Sequence, residues 1–280
     1  MRESSDERRG GPMSGGATDG GPSGGYTFGD SEPAARRLAL VAATFAKTTR
    51  QFLLMRAGIA PGFAVDLGCG PGYTTELIRA TVGPARLLGV DVSPAYVAAA
   101  AKRLADDRTR MLCADVLDLP PEVADADLIY ARFLLTHLRE PPAAIEAWRE
   151  RLSERGVLLL EEVESIATEE RGLAGYLDLQ REMLAANGNT LEIGPRLDAE
   201  LGGNPAVRSS QVVEFSPPSV IAARMFAMNL VTWRERPEVA AAHDAEELDE
   251  VAAGLERIAS GEGGSSPITW RMRQIVLTRE

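Results

Sequence analysis

Aromatic residues are scarce in this sequence, at 5%, and its 280 residues include only two histidines and two cysteines. Cys69 and Cys113 fall inside expected core elements, with no CxxC or Cys/His spacing around them. That pattern argues against a disulfide framework and a metal site, and it fits a reducing cytosol. No apolar run approaches the roughly 20 residues that a membrane-spanning helix needs, and the N-terminus has charges and glycines but no hydrophobic stretch of a secretory signal. A cytoplasmic protein with no membrane partner is expected. Positive charge is also short: 30 Lys and Arg stand against 41 Asp and Glu, for a formal net charge of −11. With no stripe of clustered Lys and Arg to gather phosphates, nucleic acid is disfavoured as a partner.

The remaining composition, 45% hydrophobic and 25% charged, is that of a globular chain with room for one sizeable α/β domain. Residues 1–25 are rich in Gly, Ser and Asp and read as a disordered tail, since they bury too little to offset their ordering entropy; Met13 within them is a second candidate start. One domain is expected over 26–280, with order beginning near Tyr26 and Phe28. Ser31 suits an N-cap and Pro33 the first turn of a helix that carries Leu38, Val41, Ala42 and Phe45 on one face and ends by Gly58. Short apolar runs at 63–67, 87–91, 110–114, 127–131 and 157–160 then alternate with helical stretches. One of these has Ser93 as cap and Pro94 at its first position; another opens at Pro141 and Pro142 and aligns Ile145, Trp148 and Leu152. Strand–helix alternation predicts right-handed βαβ units. After residue 165 the strand rhythm gives way to helices until about 208, with Leu173, Tyr176, Leu177, Gln180 and Leu184 in one stripe. Strands at 211–215 and 271–278, separated by helices through Met225 and Leu255, complete a Rossmann-like, mostly parallel seven-stranded sheet with helices on both faces.

The strongest motif is Asp66-Leu67-Gly68-Cys69-Gly70-Pro71-Gly72, between the first strand and the next helix. Glycines there let the backbone turn tightly and approach a ligand. A dinucleotide loop requires G-x-G-x-x-G, and counting from Gly68 the third glycine would fall at Tyr73. An acid directly before the loop also suits a ligand with positive charge, an ammonium or sulfonium, better than a pyrophosphate. An NAD-dependent oxidoreductase is therefore disfavoured.

This segment resembles motif I of the class I S-adenosylmethionine (SAM)-dependent methyltransferases, of the small-molecule type. Gly89-Val90-Asp91-Val92-Ser93-Pro94 resembles the acidic loop after their second strand, Cys113-Ala114-Asp115-Val116 the segment that meets adenine, and Asp127-Leu128-Ile129-Tyr130-Ala131 their motif IV. The resemblance covers about 26–164 and the last strand. It implies SAM as cofactor, held by Tyr26, Asp66, Gly68, Cys69, Gly70, Asp91, Val92, Asp115 and Val116, with Asp91 accepting the ribose hydroxyls. Arg132 would reach the cofactor's carboxylate or an acidic substrate, or else form a surface salt bridge.

His137, just after the fourth strand, is either a structural histidine or a general base over the methyl group, since imidazole titrates near neutrality. Glu161 and Glu162 end the fifth strand, and alternation lets only one of them, with Glu162 the candidate, point into a pocket. Tyr176, Gln180, Met183 and Leu184, with the Met-rich helix of Met225 and Met228, are candidates for an apolar acceptor pocket or for plain core. Together with Tyr26 and the first helix, the insert at 165–208 would form a lid over the cofactor. The implied reaction is methyl transfer to a small acceptor, a bacterial secondary metabolite by preference, with no metal. A SAM-binding regulatory or partner subunit without catalysis is the alternative, and a homodimer is an open assembly state.

Overall fold

The structure, a computed structural model, describes residues 32–55, 60–262 and 266–280. The expectations for Tyr26, Phe28, Ser31 and Gly58 lie outside them. Seven strands form one sheet in the order β3-β2-β1-β4-β5-β7-β6: β1 (Phe63–Leu67), β2 (Arg86–Asp91), β3 (Thr109–Cys113), β4 (Ala126–Arg132), β5 (Leu152–Thr168), β6 (Val207–Phe215) and β7 (Ile268–Thr278). The first five pair in parallel, and β7 runs antiparallel to both β5 and β6. The mostly parallel sheet therefore forms as expected. Because β1 leads outward to β2 and β3 while β4 returns to its other side, a topological switch point opens at the carboxyl ends of β1 and β4, where such sheets bind ligands.

Strand parity decides what lies on each face. Phe63, Val65, Leu67, Leu158 and Leu160 pack with Trp148 of α4 (Pro141–Arg149) and Leu197 of α6 (Gly194–Leu201). Ala64, Leu128, Tyr130, Val157 and Leu159 pack with Phe52 and Leu53 of α1 (Glu32–Leu54) and Ile78 of α2 (Tyr73–Val82). Every residue of β1 is buried, as expected of a strand covered on both faces. Ser93 caps α3 (Pro94–Arg103), its side chain accepting from Tyr96 N at 3.2 Å.

Three expectations are corrected. The fifth strand does not end at Glu162 but continues through a register shift at Val163/Ser165 to Thr168, paired with β7 throughout. Residues 165–168 and 207–208 are thus strand rather than helical insert, because β7 supplies the ladder partner that the local pattern does not reveal. Cys113, expected in the core, is exposed at the end of β3, an edge of the sheet.

The overhanging β5–β7 ribbon is the platform for a second core. Val163, Ile166, Trp270 and Met272 from the ribbon pack against α5 (Arg171–Ala186), α7 (Ser219–Trp233) and α9 (Ala245–Ser260), with α8 (Pro237–Ala242) beside them. No helix among the described residues is long and apolar enough to cross a membrane.

Candidate active site

A cleft of about 790 Å³ lies at the switch point, lined by the Gly68–Gly70 loop, the β2 end at Asp91 and Val92, the Asp115–Leu117 segment, and Arg132 to Leu134 after β4. The loop takes its shape from three left-handed glycines, Gly68, Gly70 and Gly72. A Cβ at Gly70 would meet only Leu38 Cδ1, at 3.6 Å, whereas one at Gly72 would stand 2.9 Å from Ala100 Cβ. Gly70 thus opens onto the cleft, and Gly72 lets α2 pack on α3. The Asp91 carboxylate accepts Gly70 N at 2.8 Å through Oδ2 and Ser93 N at 2.9 Å through Oδ1, locking the two loops together at the rim. Asp115 Oδ1 accepts Leu117 N at 2.9 Å, and the Val116 carbonyl accepts Trp148 Nε1 at 2.8 Å, so the third loop is fixed from below. Val92 and Leu117 leave 60% and 55% of their surface exposed within this cleft.

Asp66 is not among the residues lining the cleft. It lies fully buried behind the loop, where its Oδ2 accepts Thr75 Oγ1 of α2 at 2.6 Å. Burial pushes it up to about 7, against the opposing effects of the Thr75 hydroxyl and the Arg132 guanidinium. Cys69 does line the cleft, although its thiol is buried and pushed well above its ordinary value. Arg132 donates to Thr49 Oγ1 of α1 at 2.9 Å and to Thr74 Oγ1 of α2 at 3.3 Å. Thr49, Tyr130 and Gln274 in turn donate to Glu161 at 2.5, 2.7 and 2.8 Å. Glu161 therefore belongs to a buried network on the α1/α2 side, beside Tyr130, whose hydroxyl burial pushes well up.

Glu162 turns to the other face and lines a second cavity, an apolar chamber of about 130 Å³. The chamber adjoins the cleft through Leu38, Val41, Phe133 and His137, which line both. Of the residues expected around an acceptor, Tyr176, Gln180, Leu184 and Met225 line this chamber, whereas Met183 and Met228 do not. Tyr176 stacks on Phe226 at 4.2 Å between centroids and its hydroxyl accepts Asn229 Nδ2 at 2.5 Å. Burial pushes that hydroxyl up to about 12. His137 sits in a 3-10 turn, Leu135–His137, between the two cavities. Burial, and then the charge of Arg37, push it down to about 4, so it is neutral at pH 7.

Several site residues escape sequence reading. Phe133 has φ 54°, an outlier for a bulky residue, and this kink after β4 seats its ring between cleft and chamber. Nothing in the local sequence announces a left-handed phenylalanine. Arg37 lines the chamber from α1; its four-residue spacing from Val41, and that of Val41 from Phe45, was a readable signal. Asn187 and Asn189, which break the helical stripe, overhang the cleft together with Arg236 and Glu238 from the other helical segment. Tyr26 lies outside the described residues. Among the described residues no cluster of His, Cys, Asp and Glu could hold a metal.

Residues 64–156 match a family described as "Methyltransferase domain". A trans-aconitate 2-methyltransferase of Methylobacterium radiotolerans is 38% identical over 108 residues, 39% of this chain and 40% of the relative. One of Yersinia pestis is 36% identical over 102 residues, 36% and 38% of the two chains. The chain thus spans about two fifths of the length of the curated relatives it matches. A putative type II methyltransferase from Anaeromyxobacter dehalogenans shares the fold with a TM-score of 0.53 at 18% identity, covering 82% of this chain and 96% of that one. A Haemonchus contortus phosphoethanolamine N-methyltransferase, solved with S-adenosylhomocysteine, gives 0.51 at 16%, covering 86% and 57%.

Proposed function

We propose that this chain, which carries a class I SAM-dependent methyltransferase domain, transfers a methyl group from SAM to a small acceptor held in the chamber beside the cleft. The observation that carries the reading is the junction itself: a glycine-cradled cleft with an acid at its rim adjoins a mostly apolar chamber across Phe133 and His137.

The cleft residues fit the cofactor. Asp91 stands at the rim, where a carboxylate, with about four acceptor sites, would take ribose hydroxyls. The exposed side chains of Val92 and Leu117 offer apolar surface for adenine to cover, with Asp115 and the Val116 backbone at its edge. The open face of Gly70 admits close backbone approach, and Arg132 is the cation for a terminal carboxylate. Asp66 acts from behind by holding α2 to the loop through Thr75. When bound, the cofactor supplies an activated methyl carbon on a sulfonium sulfur. The chain's own work is to position: holding the acceptor at that junction lowers the barrier by removing orientational freedom, worth about 7–11 kcal/mol when well arranged. Phe133, Leu38 and Val41 wall the junction with apolar surface. Neutral His137 offers a hydrogen bond there. Small secondary metabolites are the acceptor class we favour, and the relatives' named acceptor, trans-aconitate, is the reference compound to assay beside them.

Calorimetric titration with SAM, S-adenosylhomocysteine and NAD is the test. Micromolar binding of the first two, weakened about 10- to 100-fold in Asp91→Ala as expected for charged hydrogen bonds, supports the cofactor reading. Binding of NAD alone overturns it. Product mass after incubation with acceptors separates a transferase from a protein that only binds SAM.

A further inference from the structure

One buried acid at the chamber is not used by the cofactor reading. Glu162 Oε1 accepts the backbone N–H of both Leu134 and Leu135, at 2.8 and 2.9 Å, which fixes the carboxyl in orientation. Its Oε2 is buried and has no hydrogen-bond partner among the described residues. A buried carboxyl oxygen without a partner is costly, and this one lines a cavity, so its partner arrives with the ligand. The cavity measures about 130 Å³, near the roughly 150 Å³ that admits a benzene ring. Its walls include Phe133, Phe226 and Trp270.

We propose that the acceptor is a single-ring phenol and that Glu162 is the base that takes its proton, through Oε2; the proposal rests on the methyltransferase reading. The phenol oxygen forms its bond to the methyl carbon while the carbon–sulfur bond breaks with its electron pair left on sulfur. The phenolic proton passes to Glu162 Oε2. A carboxylate acceptor has no proton to give, so it makes no use of a base there.

The groups around Glu162 are Glu161 on its own strand, Arg132 at the end of β4, Arg37 on α1, His137 in the turn and Tyr176 on α5. Burial outweighs them and pushes the carboxyl up to about 8. His137, pushed down to about 4, is by comparison about ten-thousand-fold the weaker base. An acid near 8 is well placed to work close to neutrality.

The test uses the full chain with S-adenosylhomocysteine bound, and 4-nitrophenol, whose ionisation changes its colour. Bound to the wild type, the probe should ionise at a pH displaced from that in water, because its ionisation is coupled to that of Glu162; an unshifted ionisation overturns the proposal. In Glu162→Gln that displacement should be lost. Transfer from SAM to phenol should then drop about 100-fold or more, while transfer to 4-nitrophenol, assayed at a pH where the bound probe is ionised in both proteins, drops less than tenfold. Equal losses on both phenols, with S-adenosylhomocysteine affinity intact, would overturn the base role. Cofactor binding without any phenol binding would overturn the phenol assignment and leave the methyltransferase reading standing. Failure of the wild type to bind S-adenosylhomocysteine would remove that reading, and the proposal with it.

Discussion

Asp66 shows how a single residue can shape a cleft without lining it. Its carboxyl is held by Thr75 in a space that burial makes hostile to charge, and it ionises near 7 rather than near 4. A folded-state value raised above the unfolded one means that the native state binds the extra proton between about pH 4 and 7, so stability falls as pH rises through that window and levels off above it. The effect is on the order of 3–4 kcal/mol at pH 8. Asp66→Asn keeps an acceptor for Thr75 and removes the ionisation. It should therefore melt higher than the wild type at pH 8 and differ little at pH 4–5, in thermal unfolding monitored by circular dichroism. A mutant that is equally destabilised at both values would mean that the carboxylate is ionised and paired. The acids themselves were legible in the sequence as charges closing buried strands. Their roles were not. Asp91 and Asp66 look alike there, yet one stands at the rim of the cleft and the other faces Thr75, nine residues along. Glu161 and Glu162 are separated by strand parity, and which face holds the chamber depends on helices far away in the chain. His137 drew attention as a rare titratable group near the fourth strand, and only its burial reveals that it is neutral.

At the level of elements, two left-handed glycines of the same loop, Gly70 and Gly72, differ in what they permit. Gly72 is left-handed at φ 84° and packed on Ala100, while Gly70 is left-handed at φ 52° and faces the cleft. Gly72→Ala carries the left-handed penalty of about 1–2 kcal/mol and a clash between α2 and α3. The melting temperature should fall by about 5–10 °C. Gly70→Ala carries the same backbone penalty without the clash, so it should melt only a few degrees lower, yet lose at least about tenfold in S-adenosylhomocysteine affinity because its methyl group fills the cradle. Calorimetry and thermal melts on the two variants separate the roles; parallel losses in both would mean that the loop is a single structural unit. Elements of the first half were legible because local signals agree with tertiary packing: Ser93 with Pro94 starts α3, and β1 falls on the apolar run at 63–67. The β5 overhang was not legible. Beyond Glu162 its alternation breaks at the Val163/Ser165 register shift, and the partner that holds it straight lies about 100 residues later, in β7.

The whole molecule divides its work unevenly along the chain. The cofactor cleft takes most of its lining from residues 68–139, and the walls of the chamber come from α1, the β5–β7 ribbon and the helices α5 and α7. Only the first of these segments lies largely within the matched domain, so the half proposed to hold the acceptor is the half for which sequence patterns carry least information. Net charge acts on that choice from a distance. At −11 the chain repels polyanions on approach, an effect that reaches about 10 Å at 0.1 M salt and further when salt is dilute. Against it stand Arg132, Arg139 and Arg236, which line the cleft and could attract anions locally. The two fields make opposite predictions. If net charge governs approach, kcat/KM for a neutral phenol should be flat between about 20 and 200 mM salt, while that for a tricarboxylate should rise as screening relieves repulsion. If the arginine rim governs, the tricarboxylate rate should fall with salt. We expect the first result, with the tricarboxylate at least about tenfold poorer than the phenol at low salt. The chamber sets one acid, Glu162, and one cation, Arg37, among mostly apolar walls, and a multiply charged ligand would have to leave its hydration outside a cavity of about 130 Å³.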